Sequence, residues 1–319
     1  MQAVITGVSG QDGAYLAKEL LRKGINVIGV VRNELSSLSG LDYLGIKNEV
    51  EIVQLELGNA IEINKFAKLR QPDFIFNLAA QSSVADSFKN PHSTILFNLH
   101  STLNILEAIR SFSPQTRLYQ ATSSEMYGSV ENLPICENTL LNPQSPYAIS
   151  KSACHHLVRN YRESYNLHVS SGILFNHESV LRQEKFFIMK IIKSALDIKK
   201  GKLDILEVGN IDIKRDFGYA PYYVKAMIKM VNMDKPDDYI ICSGKSVSLR
   251  SIVYHLFEYL NIDLDRIKIN SDFFRPSEIV DIYGDNSKAK SKLGWNYEME
   301  FTTVLEEILI EYQNNFYNG

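Results

Sequence analysis

The sequence predicts an α/β fold in which helices cover both faces of a doubly wound parallel sheet. Seven strand-like segments alternate with helical ones, which favours parallel pairing. The first strand, residues 3–6, leads into a glycine-rich loop and a helix before the second strand begins. This order of elements is typical of a Rossmann-type dinucleotide-binding domain. Beyond residue 175 the alternation loosens, so we expect a smaller C-terminal substrate-binding domain interleaved with the sheet.

Hydrophobic patterning predicts the remaining elements. After the strand at 3–6, strands are expected at 26–31, 51–57, 73–78, 117–121, 169–174 and 239–242. Helices are expected from residue 14 to Gly24, at 61–69, at 93–112, from Tyr147 onward, at 186–199 and at 249–260. Residues 208–218 and 274–278 read as polar loops that carry cations.

Composition excludes several classes of function. The 319 residues are 45% hydrophobic and carry a formal net charge of −3, without the basic stripe that a nucleic-acid partner requires. No apolar run approaches the ~20 residues of a membrane helix. The cysteines and histidines are not spaced as a disulfide framework or as metal ligands, so no metal is expected. These features predict a soluble, cytoplasmic protein.

The glycine-rich loop predicts where a dinucleotide binds. It contains Gly7, Gly10 and Gly13, with Gln11 and Asp12 in between. Glycines permit a tight turn and let the backbone approach the ligand, so that the N-terminus of the next helix meets a pyrophosphate. The glycine pattern alone is weak evidence for dinucleotide binding, but its position between two strands makes it specific.

The end of the second strand favours NADP over NAD. Arg32 lies about 20 residues after the glycine loop, where an NAD site has an acidic residue for the ribose diol. An arginine there pairs with the 2′-phosphate of NADP instead. A solvated surface arginine is the alternative. Small residues after strand 73–78, including Ala79, Ala80 and Ser82, would let the cofactor pass close to the sheet.

Four groups suited to redox and acid–base chemistry occur close together in sequence: Ser123, Glu125, Tyr147 and Lys151. Tyr147 and Lys151 are four residues apart, so on a helix they share one face. Lowering a phenol pKa from about 10 to near 7 takes about 3 units, much of which an ammonium in a low-dielectric site can supply. Ser123 would hydrogen-bond the same substrate oxygen, and Glu125 would be a second base. A packed tyrosine and a solvated lysine would give the same pattern.

Seven stretches together carry a family resemblance. They are residues 6–16, 77–82, 123–128, 145–151, 172–179, 209–216 and 274–278. The sequence resembles an extended short-chain dehydrogenase/reductase, and within that superfamily it is similar to the GDP-mannose 4,6-dehydratase family. The Gly-Gln-Asp-Gly run at 10–13 and the Asn-His-Glu-Ser run at 176–179 are specific to this branch. Within the loop after the second run, Arg182 is the one arginine kept where the family has two.

The resemblance implies NADP as cofactor, a GDP-sugar as substrate and a role for each matching residue. Tyr147 and Lys151 match the redox pair, Glu125 the dehydration base, and Ser123 a hydroxyl that is usually threonine. Besides the glycine loop, Arg32 and the redox pair, the implied cofactor contacts are Glu56, Leu57, Leu78, Ala79, Ala80, Ser82, His177 and Arg182. The implied substrate contacts are Ser82, Ser123, Glu125, Asn176, Lys190, Arg215, Arg275 and Glu278.

The implied reaction converts a GDP-hexose, such as GDP-mannose or a variant (GDP-N-acetylglucosamine or a GDP-heptose), to its 4-keto-6-deoxy product with internal recycling of NADP. An NADP-dependent 4-reductase or 4-epimerase of the same fold is the alternative, and it would need no carboxylate at position 125. A non-catalytic NADP-sensing module is a third interpretation, although such a protein would be expected to lose Tyr147 and Lys151.

The resemblance also implies how the chain is divided and assembled. Residues 1–175 with about 212–245 would form the NADP-binding domain. Residues 176–211 with 246–319 would form the sugar-nucleotide-binding domain. A homodimer or homotetramer is the expected assembly.

Overall fold

The computed structural model describes residues 1–33, 36–274 and 277–317. Its strands are β1 (Gln2–Thr6), β2 (Asn26–Val31), β3 (Val50–Gln54), β4 (Phe74–Asn77), β5 (Arg117–Ser123), β6 (Val169–Leu174), β7 (Asn176–Glu178), β8 (Leu206–Val208), β9 (Lys214–Tyr219), β10 (Tyr239–Ile241), β11 (Ser246–Ser248) and β12 (Ile267–Ile269). Its helices are α1 (Gln11–Arg22), α2 (Ser39–Tyr43), α3 (Ala60–Arg70), α4 (Val84–Lys89), α5 (Pro91–Phe112), α6 (Pro146–Tyr165), α7 (Phe187–Lys199), α8 (Ala220–Val231), α9 (Leu249–Tyr259), α10 (Ser287–Leu293) and α11 (Phe301–Tyr312). No helix in these ranges combines the length and the apolar character needed to span a bilayer.

The central sheet confirms the predicted fold class. Its order is β10-β6-β5-β4-β1-β2-β3, and every pair of neighbours is parallel. Strands β2 and β3 follow on one side of β1, and β4, β5 and β6 follow on its other side, so the direction of winding reverses between β1 and β4. Ligands of open parallel sheets bind at the carboxyl ends of the strands at this switch point. The glycine loop after β1 and the small residues after β4 both lie there.

Alternate residues of the buried strands pack on opposite faces of the sheet, as the period of two requires. Ala3 and Ile5 of β1 belong to the core that contains apolar residues of α1 and α8. Val4 belongs to the other core, with residues of α3, α5 and α6. Burial of one such aliphatic side chain contributes roughly 1.5–3 kcal/mol to the free energy of folding. The two cores therefore stabilise the sheet on both of its faces.

The C-terminal part of the chain forms a second core beside the sheet. Apolar residues of α7, α9 and α11 pack together there with residues of β8 and β9. Strands β7, β9 and β11 form a three-stranded sheet, and β8 pairs with β12. The expectation of a polar loop over residues 208–218 is therefore wrong for residues 214–218, which lie in β9 and are buried except for Lys214. The polar residues of β9 are satisfied internally: Asp216, for example, accepts hydrogen bonds from the backbone N–H groups of Ser243 and Gly244.

Candidate active site

The glycine loop fits closely against the end of β4. Gly7 has a φ of +72°, and a Cβ at this position would lie 3.1 Å from the backbone of Ala79. A Cβ on Gly13 would lie 2.4 Å from the carbonyl oxygen of Gly7. Neither position has room for a side chain, so only glycine allows the loop to pass this close to β4. No side chain of these two residues then covers the backbone at the start of α1. Gly10, the N-cap of α1, contributes no side-chain cap, so the helix N-terminus is open to an anion.

A cleft of about 720 Å³ opens beside this loop. Its walls come from the glycine loop, the ends of β2 and β4, the segment after β3, and the loop after β7. Thirteen of the sequence-predicted cofactor residues line it: Gly7, Gly10, Gln11, Asp12, Gly13, Arg32, Glu56, Leu57, Leu78, Ala79, Ala80, Ser82 and Arg182. The cradle of glycines and the open helix end suit the pyrophosphate of a dinucleotide.

Arg32 lies at one edge of the cleft. Its side chain is exposed at the end of β2, and Ser36 lies near it on the same wall. Within residues 1–33, 36–274 and 277–317, no carboxylate forms an ion pair with Arg32. A guanidinium in this position can pair with a phosphate on the adenosine ribose.

Two buried polar residues that the sequence reasoning did not assign hold the end of β4 in place. The hydroxyl of Thr6 donates to Asn77 Oδ1 at 2.7 Å and accepts hydrogen bonds from the N–H groups of Leu78 and Ala79, each at 3.1 Å. Asn98 of α5 accepts a hydrogen bond from the Gln81 N–H at 2.9 Å. The sequence signal that could have found Asn98 is an asparagine between the apolar residues of a long helix, and the structure shows that it is buried.

The four predicted catalytic residues come from three elements. Ser123 ends β5, Glu125 lies in the short 3₁₀ turn that follows, and Tyr147 and Lys151 lie on the first two turns of α6. Ser145 caps α6 by accepting a hydrogen bond from the Ala148 N–H, as the sequence predicts. Tyr147, Lys151 and Ser123 are buried, whereas Glu125 is half-buried. The redox pair does not line the 720 Å³ cleft itself.

The environment of Tyr147 combines burial with several polar neighbours. Burial raises the pKa of Tyr147 to about 12, the hydrogen bond with Ser123 lowers it, the charge of Glu125 raises it, and the charge of Arg182 lowers it. Lys151 donates to the carbonyl oxygen of Ala121 at 2.9 Å, and its Nζ lies 5.9 Å from the centroid of the Tyr147 ring. Burial also lowers the pKa of Lys151. Burial has the largest effect on the pKa of Tyr147, and the groups that act against it in this structure are Ser123 and Arg182. That Lys151 lowers the pKa of the phenol remains a prediction.

His177 and Arg182 occupy different positions. Arg182 lines the cleft, with its guanidinium carbon 3.7 Å from the centroid of the Phe186 ring and its Nε 3.5 Å from Glu178 Oε2. The His177 ring does not line the cleft. Its Nε2 lies 2.9 Å from Asp12 Oδ2, behind the wall that Asp12 forms.

The predicted substrate residues other than Ser82, Ser123 and Glu125 are spread over the C-terminal part of the chain. Asn176 is half-buried at the start of β7, and Glu278 is half-buried. Lys190 donates to the Glu207 carbonyl at 2.8 Å. Arg215 is buried in β9 and donates to the carbonyl oxygen of Ile279 at 2.7 Å, so it fixes the chain next to Glu278. Arg275 lies outside the described residues.

Comparisons with known proteins agree with this arrangement. A family model described as GDP-mannose 4,6 dehydratase matches residues 4–308. A GDP-mannose 4,6-dehydratase of Yersinia enterocolitica is 35% identical, over 97% of this chain and 92% of its own. GDP-mannose 4,6 dehydratase 1 of Arabidopsis thaliana is 38% identical, over 97% of this chain and 89% of its own.

Solved structures with the same fold include enzymes of more than one type. A dTDP-glucose 4,6-dehydratase of Streptomyces venezuelae, crystallised with NAD, superposes with a TM-score of 0.89 at 20% identity, covering 99% of this chain and 98% of that one. A UDP-glucose 4-epimerase of Thermotoga maritima gives 0.88 at 20% identity, covering 98% and 99%. At this identity the structures show the fold alone. The family match over residues 4–308 and the 35% and 38% identities show that the chain belongs to the GDP-mannose 4,6-dehydratase family.

Proposed function

We propose that this protein is a GDP-sugar 4,6-dehydratase, a hydro-lyase that converts a GDP-hexose to the GDP-4-keto-6-deoxy sugar and regenerates its NADP in each turnover. One observation carries the proposal beyond family membership. A half-buried carboxylate, Glu125, lies in the turn that directly follows Ser123 and acts electrostatically on the buried Tyr147. A 4-epimerase or 4-reductase needs a tyrosine and a lysine but has no use for a second base at this position.

The first step depends on an ionised Tyr147. Bound NADP supplies the acceptor for the hydride of sugar C4 and the donor that later reduces C6. Tyr147 takes the proton of the C4 hydroxyl, while the Ser123 hydroxyl donates to the same oxygen. The positive charge of Arg182 favours the phenolate. Lys151 donates a hydrogen bond to the Ala121 carbonyl, which holds its side chain on the same face of α6 as Tyr147.

The second step belongs to Glu125. A ketone at C4 makes the C5 proton acidic, so a nearby carboxylate can remove it. Glu125 then returns this proton to the C6 hydroxyl, which leaves as water. At the end of the cycle C5 takes a proton from solvent, and Tyr147 releases to solvent the proton it took from the C4 hydroxyl. The half-buried position of Glu125 suits both roles, because its carboxylate is accessible to a substrate.

The cofactor, the domains and the assembly are part of the same proposal. NADP would lie in the 720 Å³ cleft, with its pyrophosphate on the glycine loop and its 2′-phosphate on Arg32. The division into an NADP-binding domain (1–175 with about 212–245) and a sugar-nucleotide domain is supported by β10 joining the central sheet and by the separate core of α7, α9 and α11. We propose a cytoplasmic homodimer or homotetramer.

The test is product analysis without an external reductant. Purified protein is incubated with GDP-mannose and a catalytic amount of NADP, and the product is examined by mass spectrometry. We expect a nucleotide sugar lighter by one water. A product of unchanged mass would identify an epimerase, and no product with any of the GDP-, dTDP-, UDP- and CDP-sugars of a panel would support a sensing module. The same panel identifies the sugar.

A further inference from the structure

A network of hydrogen bonds joins the glycine loop to β7, although the two segments are far apart in sequence. His177 Nε2 lies 2.9 Å from Asp12 Oδ2. The Gln11 amide donates to Asp12 Oδ1 at 3.0 Å and to the His177 carbonyl at 3.1 Å. Ser179 donates to Gln11 Oε1 at 2.8 Å. Two residues of the Gly-Gln-Asp-Gly run thus bind two residues of the Asn-His-Glu-Ser run.

The partners of the His177 ring determine its protonation state. Its Nδ1 lies 2.7 Å from the carbonyl oxygen of Phe175, and its Nε2 faces the Asp12 carboxylate. A backbone carbonyl oxygen and an ionised carboxylate accept hydrogen bonds and cannot donate one, and the lowered pKa of Asp12 favours its ionised form. Each ring nitrogen must therefore carry a proton, which makes His177 an imidazolium ion beside a carboxylate.

The groups around this pair come from four elements. Tyr223 of α8 stacks on the His177 ring with a centroid distance of 4.6 Å, a favourable arrangement for a cation. Arg182, from the loop after β7, acts electrostatically on both Asp12 and His177. Glu178 of β7 and Tyr119 of β5 also face the pair. The second cation, Arg182, lies closer to the cleft than His177, since Arg182 lines it and His177 does not.

We propose that His177 is a positioning residue for the cofactor, acting through Asp12: its imidazolium neutralises the carboxylate in the first turn of α1, so that a pyrophosphate can bind beside it. An unpaired carboxylate in the wall of an anion site would repel the ligand. The inference rests on the proposed NADP site, and it gives His177 a role other than the direct cofactor contact that the family resemblance implies.

The titration of the pair follows from this geometry. Burial lowers the pKa of His177, but the charge and hydrogen bond of Asp12 and the Phe175 carbonyl outweigh it, so the net direction is upward. The pKa of Asp12 is lowered: burial raises it, but the charge and hydrogen bond of His177 outweigh burial. As the pH rises through the raised pKa of His177, the proton is lost and Asp12 is left unneutralised. NADP affinity should therefore fall on the alkaline side.

The variants His177→Asn, Asp12→Asn and the double variant separate charge from structure. We expect His177→Asn to weaken NADP binding at least about tenfold, because the carboxylate remains, and the double variant to recover most of this loss. Asp12→Asn should weaken NADP binding less than His177→Asn does. The alkaline loss of affinity should disappear in the double variant. A double variant as weak as His177→Asn, with the wild-type pH profile, would overturn the proposal.

A matched control exists in the C-terminal part of the chain. His255 and Glu306 form another histidine–carboxylate pair, at 2.7 Å. His255→Asn should leave the dissociation constant of NADP unchanged, and thermal melting verifies that every variant is folded.

A second measurement decides the matter even if the variants do not fold. In the wild-type protein, histidine ¹⁵N NMR shifts distinguish an imidazolium from either neutral tautomer. We expect the imidazolium signature for His177 at neutral pH, and a neutral ring would overturn the inference. If the wild-type protein binds no NADP at all, the proposed cofactor site fails while the NMR result still decides whether the charged pair exists.

Discussion

Replacement of Glu125 by glutamine tests the division of labour in the active site. The substitution keeps the size of the side chain and removes the base. Loss of a positioned general base typically costs 10²–10⁴-fold, so we expect dehydration to slow by about that factor. Oxidation at C4 should survive, because the charge of Glu125 is one of the causes that raise the pKa of Tyr147. Removing that charge therefore lowers the free energy needed to form the phenolate.

The assay measures both steps on one sample. Single-turnover mixing of GDP-mannose with the NADP-loaded variant should produce NADPH absorbance that accumulates and does not decay, while mass spectrometry finds no dehydrated product. Glu131→Gln is the matched control, since Glu131 is an exposed carboxylate a few residues further along the chain. Dehydration by Glu125→Gln at the wild-type rate would refute the assignment of this residue, and loss of C4 oxidation together with dehydration would refute the separation of the two steps.

Three further outcomes are expected. Arg32→Ala should weaken NADP binding by about 10–100-fold, the worth of a charge-assisted hydrogen bond, and leave NAD binding nearly unchanged; titration calorimetry with both cofactors checks this. Thr6→Val removes the shared acceptor of the Leu78 and Ala79 N–H groups and should lower the free energy of unfolding by about 1–3 kcal/mol, measured by urea denaturation, with weaker NADP binding. Burial raises the pKa of Asp216 to about 6 from 3.8, so the stability it contributes is present below pH 3.8 and lost as the pH rises through about 6. Relative to Asp216→Asn, the wild type should lose about 3 kcal/mol over that interval; no change in the difference would contradict the assigned shift.

The sequence was informative wherever local pattern determines structure. The alternation of apolar segments predicted the central sheet, and the spacing of Gly7, Gly10 and Gly13 predicted the turn that the backbone adopts. Ser145 and Pro146 predicted the start of α6, which places Tyr147 and Lys151 on one face. Each of these inferences depends on residues that are neighbours along the chain.

The features that the sequence could not predict depend on contacts between distant segments. β9 was read as a loop because Arg215 and Asp216 are polar, and only the fold supplies the backbone groups that satisfy them. The contact between Asp12 and His177 joins residues 165 positions apart, so no local sequence pattern predicts it. The pKa of Tyr147 depends on its depth in the fold and on Arg182, neither of which a motif specifies.

The central claim is that oxidation at C4 and reduction at C6 occur in one active site with one molecule of cofactor. GDP-mannose carrying deuterium at C4, incubated with the enzyme and catalytic unlabelled NADP, tests it directly. We expect the label at C6 of the 4-keto-6-deoxy product, located by NMR. Deuterium that remains at C4 of an epimerised sugar, or that is lost to the solvent, would contradict the account.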